Sequence, residues 1–293
     1  MKALVTRGSG WIGSNLINHL KKRNLEVFNY DIVKGFDITN FVQLRKCFEK
    51  ENFDMVFHLA AQAFLGPGEK DPCWDVKVNV FGMINLLTCL EEYDLPTVYT
   101  SSGAVYGISP ILPHEESAPC IPISNYGISK LAAENYLKKW VITKDINAKV
   151  VRFSSVYGTG RTHGPVNIFI NKALKNEPLT IYGMGTQTRD LVYIDDAIKG
   201  LELVMDEGRR GEIYNIGLGE EHSVLEVAKI IQEKTDAPIK HIKYDLGPFD
   251  LSRSWYNITK ARSLGYDPQT DLETGISLTI FDTQNTHTAV SSA

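Results

Sequence analysis

The feature that most constrains this chain is its opening. A short apolar run, Lys2–Thr6, enters the turn Gly8-Ser9-Gly10-Trp11-Ile12-Gly13 and leaves it as an amphipathic helix with Leu16, Ile17 and Leu20 on one side. The turn satisfies GxGxxG between a strand and a helix. Its glycines let the backbone approach a pyrophosphate, and the helix N-terminus offers unpaired N–H groups and a positive dipole end. Asp31 closes the next apolar run, Glu26–Asp31, about twenty residues on, where a carboxylate accepts ribose hydroxyls and repels a 2′-phosphate. NAD is therefore the expected cofactor, rather than NADP. The structural alternative is a tight turn that binds nothing, with Asp31 solvated.

Apolar runs and helical patterns go on alternating through the N-terminal half. Further strands are expected at Asp54–Leu59, Thr97–Ser101 and Ala148–Phe153, and helices at Gly13–Arg23, Phe41–Lys50, Val76–Glu92 and Asn125–Trp140. Buried strands alternating with helices argue for an α/β fold with a doubly wound parallel sheet of the Rossmann type. After Tyr157 the chain turns glycine-rich. Helices are then expected at Ile168–Lys175, Asp195–Met205 and Ser223–Lys234, and strands at Leu179–Tyr182 and Glu212–Ile216. The expected division is a dinucleotide-binding domain over 1–157 and a smaller α/β substrate lobe over 158–293, with segments returning to the large sheet. The small polar residues of 283–293 read as a frayed end.

One spacing carries chemistry. Tyr126 and Lys130 form YxxxK, and positions i and i+4 share a helical face. A phenol with a pKa of about 10 is a poor base near neutrality, and a neighbouring ammonium favours its ionised form. Taken alone, the pair better suits a surface helix. Its place after the third βα unit of a dinucleotide fold makes it a catalytic candidate.

Several classes are disfavoured. A net charge of −4 supplies no field for nucleic acid. No uninterrupted apolar run approaches the roughly 20 residues that span a bilayer, so a membrane is not an expected partner. Cys47, Cys73, Cys89 and Cys120 lack metal-ligand spacing and read as buried free thiols of a reducing cytoplasm, so no metal site is expected. Met1–Thr6 runs straight into the turn, which leaves no signal peptide to expect and again points to the cytoplasm.

Over residues 1–282 the motifs together resemble the extended short-chain dehydrogenase/reductase family, and within it the NAD-dependent sugar epimerases and dehydratases. Thr6–Gly13 is similar to TGGxGFIG, with Arg7 at the first glycine. A Cβ there either crowds the turn and the pyrophosphate or places a cation near the phosphates. Asp37-Ile38 resembles the adenine-contacting pair. His58-Leu59-Ala60-Ala61-Gln62 resembles the HLAAQ strand end beneath the nicotinamide, and Asn79 the asparagine of the next helix. Tyr99–Gly107 is similar to SSxxVYG, and Arg152–Gly158 to RFSNVYGP with Ser155 at its Asn. Leu179–Gly183 and Gln187–Asp190 resemble IYGdGxQxRD, and Leu246–Trp255 resembles RPGDvrrSxaD, with Gly247 at the second phosphate-binding Arg.

The resemblance implies 4-epimerisation of a nucleotide-diphosphate sugar of the UDP-glucose/galactose type through a 4-keto intermediate. It implies cofactor contacts from Gly8, Gly10, Trp11, Ile12, Gly13, Asp31, Asp37, Ile38, Leu59, Ala60, Ala61, Gln62, Asn79, Tyr126, Lys130 and Phe153. Catalysis falls to Ser102, Tyr126 and Lys130, the lysine tuning the phenol and holding the nicotinamide ribose. Substrate contacts fall to Ser102, Tyr126, Ser155, Thr180, Tyr182, Gln187, Arg189 and Asp250, with Arg253 as the substitute cation for Gly247. Ser254 stands at the gate of the sugar pocket, where a small residue admits a bulkier sugar. Related dehydratases carry Asp and Glu where this chain has Gly103 and Ala104, which argues for redox chemistry without elimination. The family implies a homodimer through helices near 79–92 and 126–140; Leu86, Leu87, Leu90, Leu131 and Tyr136 suit that contact or internal packing equally. Two alternatives stay open. One is net oxidoreduction of a nucleotide sugar. The other is a non-catalytic dinucleotide-binding protein, motivated by Arg7, Ser155 and Gly247.

Overall fold

The structure, a computed structural model, describes residues 1–63, 65–244 and 252–291. Its first half runs β1 (Lys2–Thr6), α1 (Trp11–Lys22), β2 (Glu26–Tyr30), α2 (Phe41–Lys50), β3 (Met55–His58), α3 (Leu65–Lys70) and α4 (Pro72–Asp75). One π-helical segment, Val76–Phe81, then leads into α5 (Gly82–Tyr93), β4 (Thr97–Ser102), α6 (Asn125–Lys144) and β5 (Ala148–Phe153). The remainder comprises β6 (Ser155–Tyr157), α7 (Pro165–Ala173), β7 (Leu179–Tyr182), β8 (Thr188–Arg189), β9 (Leu191–Tyr193) and α8 (Ile194–Glu207). It closes with β10 (Ile213–Ile216), β11 (His222–Ser223), α9 (Val224–Thr235), β12 (Ile239–Ile242), α10 (Thr259–Arg262) and α11 (Leu272–Ser291).

The main sheet is parallel in the order β2-β1-β3-β4-β5-β10. The chain winds outward from β1 to β2, then crosses back over β1 to β3. A crevice opens at the carboxyl ends of the strands where the winding reverses. Strand side chains alternate between the faces. Ala3, Val5 and Phe57 pack on one side with Leu16, Leu20 and Leu201, while Leu4, Val56 and Val150 pack on the other with Leu44, Leu86 and Leu137. Beyond Tyr157, β10 returns to the sheet beside β5, whereas β7–β12 and β6–β9 form separate parallel pairs.

Several expectations change. The end expected to fray from residue 283 is helical, because α11 continues to Ser291. Ile276 and Ile280 anchor its first turns in the core, and no glycine or proline after Gly275 interrupts it. Pro72–Tyr93 has the length and hydropathy (22 residues, 1.2) of a membrane span, but 56% of its apolar window is buried inside the protein, as in a core helix. Cys73 is exposed rather than buried. Leu86, Leu87 and Leu90 are buried in the core, so they pack internally and are not available to a partner.

A buried ion pair fixes α6 to the sheet. Arg152 on β5 forks onto Glu134 of α6, with Nη2–Oε2 at 2.6 Å and Nε–Oε1 at 3.1 Å, and both side chains are almost fully buried. Removing one partner leaves the other charge uncompensated in a poorly solvated place. Glu134→Ala is therefore expected to cost about 3–5 kcal/mol of unfolding free energy, read from the urea midpoint.

Candidate active site

The glycine turn is built by close packing. A Cβ on Gly13 would stand 2.3 Å from the Arg7 carbonyl oxygen, and one on Gly8 would stand 2.4 Å from Asn29 Oδ1. These two glycines let helix, turn and strand touch. Gly10 faces the crevice and begins α1. Asp31 accepts from the Ser9 amide at 2.9 Å and the Val33 amide at 3.0 Å, one bond to each oxygen, so each oxygen keeps a lone pair for a hydroxyl.

Arg7 explains why glycine is usual at its position. It sits in the left-handed region, with φ of 54°. Its side chain runs over Gly10, with Cγ and Nε each 3.3 Å from where a Gly10 Cβ would be, and its Nη1 donates to the Ala61 carbonyl. It lines the crevice, and burial lowers its affinity for the proton. Arg7 thus both covers the turn and brings a cation into the crevice.

Helix α6 opens with Ser124 capping the Gly127 amide at 3.1 Å, and its first two turns carry Tyr126 and Lys130 into the same cavity as Ser102. The cavity measures about 740 Å³ and also takes in Gly10, Trp11, Leu59, Ala61, Phe153, Ser155 and Arg189. Burial raises the Tyr126 phenol above its ordinary value; hydrogen bonding to Ser102 and the charges of Arg7 and Arg161 oppose that rise. The expected acidification by Lys130 is not the arrangement observed. The ammonium lies 4.5 Å from the Tyr99 ring centroid and 6.0 Å from that of Tyr126, and it donates to the Thr100 carbonyl at 2.7 Å. Burial, with repulsion from Arg7, pulls Lys130 down to about 7, Glu134 partly offsetting.

Beneath the crevice the polar groups serve the frame. The Thr6 hydroxyl accepts from the Leu59 and Ala60 amides, each at 2.9 Å, and pairs with His58 Nδ1 at 2.9 Å. Asn79, expected at the cofactor, is buried with both ends of its amide engaged. Its Oδ1 takes the Gln62 amide at 2.7 Å, and its Nδ2 reaches the Gln62 carbonyl at 3.1 Å and Ser129 Oγ at 2.8 Å. It therefore positions the end of β3 against α6. Asp37 is folded into a turn with Thr39, and Ile38 packs against Gly82.

The expected substrate residues divide. Ser155 and Arg189 line the cavity; Thr180, Tyr182 and Gln187 do not. Thr180 Oγ1 accepts from Lys172, and Tyr182 stands exposed against Tyr244. Arg253 is not the substitute cation: its fork is taken by Glu221 at 2.8 and 2.6 Å, outside the cavity. Arg189 does not pair with Asp190, whose carboxylate accepts from the Leu218 and Gly219 amides. Gly247 and Asp250 lie outside the described residues. Sequence reasoning missed Arg161, which stacks on Trp11 with its guanidinium carbon 5.0 Å from the ring centroid, and Tyr256, which lines the cavity. Neither falls at a motif position that signals a ligand.

With this geometry in view, a family model described as the NAD dependent epimerase/dehydratase family matches residues 3–217. The chain belongs to that family. It is 35% identical to a putative UDP-glucose 4-epimerase of Methanocaldococcus jannaschii, over 93% of this chain and 95% of that one. The UDP-glucose 4-epimerase of Thermotoga maritima, solved with UDP-glucose, superposes with a TM-score of 0.92 at 29% identity, covering 98% of this chain and all of that one. The Thermus thermophilus UDP-glucose 4-epimerase, solved with NAD, gives 0.88 at 31% identity, covering 97% of this chain and 99% of that one.

The family's NAD fits these residues. Gly10 leaves the approach to the α1 N-terminus free of its own side chain, and Asp31 suits ribose hydroxyls. The Arg7 side chain must turn off Gly10 for a pyrophosphate to reach that terminus, and its fork then suits phosphate.

Two outcomes follow from these electrostatics and strains. Between about pH 7 and 10.5 the unfolded chain keeps the Lys130 proton that the folded chain has lost, so the Lys130 contribution to cofactor-free stability rises with pH across that window, against the buried Cys47 and Cys89 thiols, which act the other way above about pH 9. Urea midpoints between pH 7 and 8.5 should show this rise, and the difference between parent and Lys130→Met should carry it on to higher pH. Arg7→Gly and Arg7→Ala delete the same guanidinium, but only glycine relieves the left-handed strain. The glycine variant is expected to be more stable by about 1 kcal/mol in the same assay.

Proposed function

We propose that this chain is an NAD-dependent 4-epimerase of a UDP-linked hexose. The observation that carries this reading is the meeting of Ser102 and Tyr126 on the wall of the cavity that reaches Gly10 and Trp11, beside Gly103 and Ala104. No side chain at 103 or 104 can move a proton, so the local chemistry suits redox at a hydroxyl-bearing carbon without elimination.

NAD bound in the crevice supplies a hydride acceptor that returns the hydride, and its ring adds a positive charge. Tyr126 takes the proton of the sugar 4-hydroxyl and later gives it back. Ser102, beside that phenol on the cavity wall, orients the sugar oxygen. Arg7 and Arg161 favour the ionised phenol against the effect of burial. Lys130 steadies the Thr100 carbonyl, two residues before Ser102, and offers the crevice a donor that is half-charged near neutrality. Arg189 is suited to the diphosphate. A 4-keto sugar that turned over in the site between oxidation and reduction would have C4 inverted with no net consumption of cofactor.

The reading extends to a cytoplasmic homodimer. Half-buried Ile84 on α5 and Leu131 on α6, with exposed Phe81 at the end of the π-helical segment and exposed Ile128 and Tyr136 on α6, offer the apolar face in place of the buried leucines.

Tyr126→Phe is expected to lower kcat by at least 10²-fold with folding intact, since it removes the proton-transfer group. NMR of UDP-glucose incubated with the parent protein should show the C4 epimer without stoichiometric change in nicotinamide absorbance. Net absorbance change without the epimer would favour simple oxidoreduction.

A further inference from the structure

Gly103 follows Ser102 directly and lines the same cavity. A Cβ on it would stand 1.8 Å from Tyr256 Oη and 2.3 Å from Cζ, so glycine is required while that phenol is present. Ser254 is buried, and its hydroxyl lies 3.2 Å from Tyr256 Oη. The room that a small residue at 254 was expected to leave for a bulkier sugar is therefore taken by the phenol.

The phenol is held in place. The backbone on either side of Tyr256 bonds His114, with the His114 amide on the Trp255 carbonyl at 2.8 Å and the Asn257 amide on the His114 carbonyl at 2.9 Å. Its ring packs 5.7 Å from that of Tyr106. Burial pushes it up to about 12, so it stays protonated throughout the neutral range. Two hydroxyls that bond each other use one O–H and keep the other, with lone pairs to spare. A donor and acceptors thus remain beside the residue that orients the reacting oxygen.

Resting on the 4-epimerase reading, we propose that Tyr256, paired with Ser254, is a sugar-positioning residue of this site. The hydroxyl pair bonds a free hydroxyl on a hexose carbon next to the reacting one and holds that carbon against Ser102 and Tyr126. The preferred ligand is a hexose that keeps this hydroxyl, over its deoxy counterpart.

Calorimetry on the NAD-loaded protein with UDP-glucose, its monodeoxy analogues and UDP separates sugar from nucleotide recognition. Tyr256→Phe keeps the ring and is expected to weaken UDP-glucose binding about tenfold, leaving UDP unchanged. Parent and variant should bind alike the one analogue that lacks the contacted hydroxyl. Ser254→Ala should act in the same direction. No loss for UDP-glucose, or an equal loss for UDP, would overturn the assignment. Absence of UDP-glucose binding by the parent would overturn both this assignment and the 4-epimerase reading. The expected binding pattern without turnover would sink that reading alone. Gly103→Ala should lower the urea midpoint, and G103A/Y256A should restore it; a single variant as stable as the parent would show that the phenol is elsewhere.

Discussion

Two arginines, a partly charged lysine and a helix N-terminus face one another across the reversal point of the sheet, and the chemistry of this protein depends on that crowding. Arg7, Arg161 and Lys130 line one cavity with the start of α1. Arg7 adds to the burial that depresses Lys130, and burial lowers the proton affinity of both arginines. Such a field in a poorly solvated crevice is costly for the protein alone and is relieved by a dianion. A dinucleotide pyrophosphate is such a partner. The same field favours ionisation of Tyr126, whose burial works the other way.

Positioning then becomes a matter of holding α6. Its first turns carry Tyr126 and Lys130, its Ser129 is tied through Asn79 to the end of β3, and its Glu134 is clamped by Arg152 of β5. Thr6 joins the ends of β1 and β3 at the reversal. These buried bonds are satisfied within the protein. They fix the distances between the fingerprint turn, the Ser102 strand end and the phenol. Trp11 carries the same frame into the second half through its bond to the Thr159 carbonyl at 2.8 Å.

Much of the fold was legible because its signals are local. Lys2–Thr6, Phe41–Lys50, Ala148–Phe153 and Leu179–Tyr182 form as their apolar patterns indicate. The α11 tail misled because small polar residues do not announce a helix that is propagated from a docked start. In the site, a motif such as YxxxK states that two side chains share a face, but not how far each reaches. Lys130 turns to Thr100 and Tyr99 because a carbonyl and a ring lie there, contributed by a strand distant in sequence. Arg253 was misread for a similar reason: Glu221, which claims its fork, is adjacent only after folding.

By itself the sequence determined the strand–turn–helix that can take a dinucleotide, the parallel winding, and the pairing of a Ser and a Tyr with a helical Lys. The turn and the Tyr–Lys pair rest on spacing along one element, where geometry is set by the backbone period, the winding on the order of such patterns, and Ser102 on the family resemblance. Only the tertiary structure decided which cations oppose the burial of Tyr126, that Asn79 braces the end of β3 against α6, and that a phenol from residue 256 occupies the space over Gly103. Those depend on desolvation and on contacts between segments far apart in the chain, which no local pattern encodes.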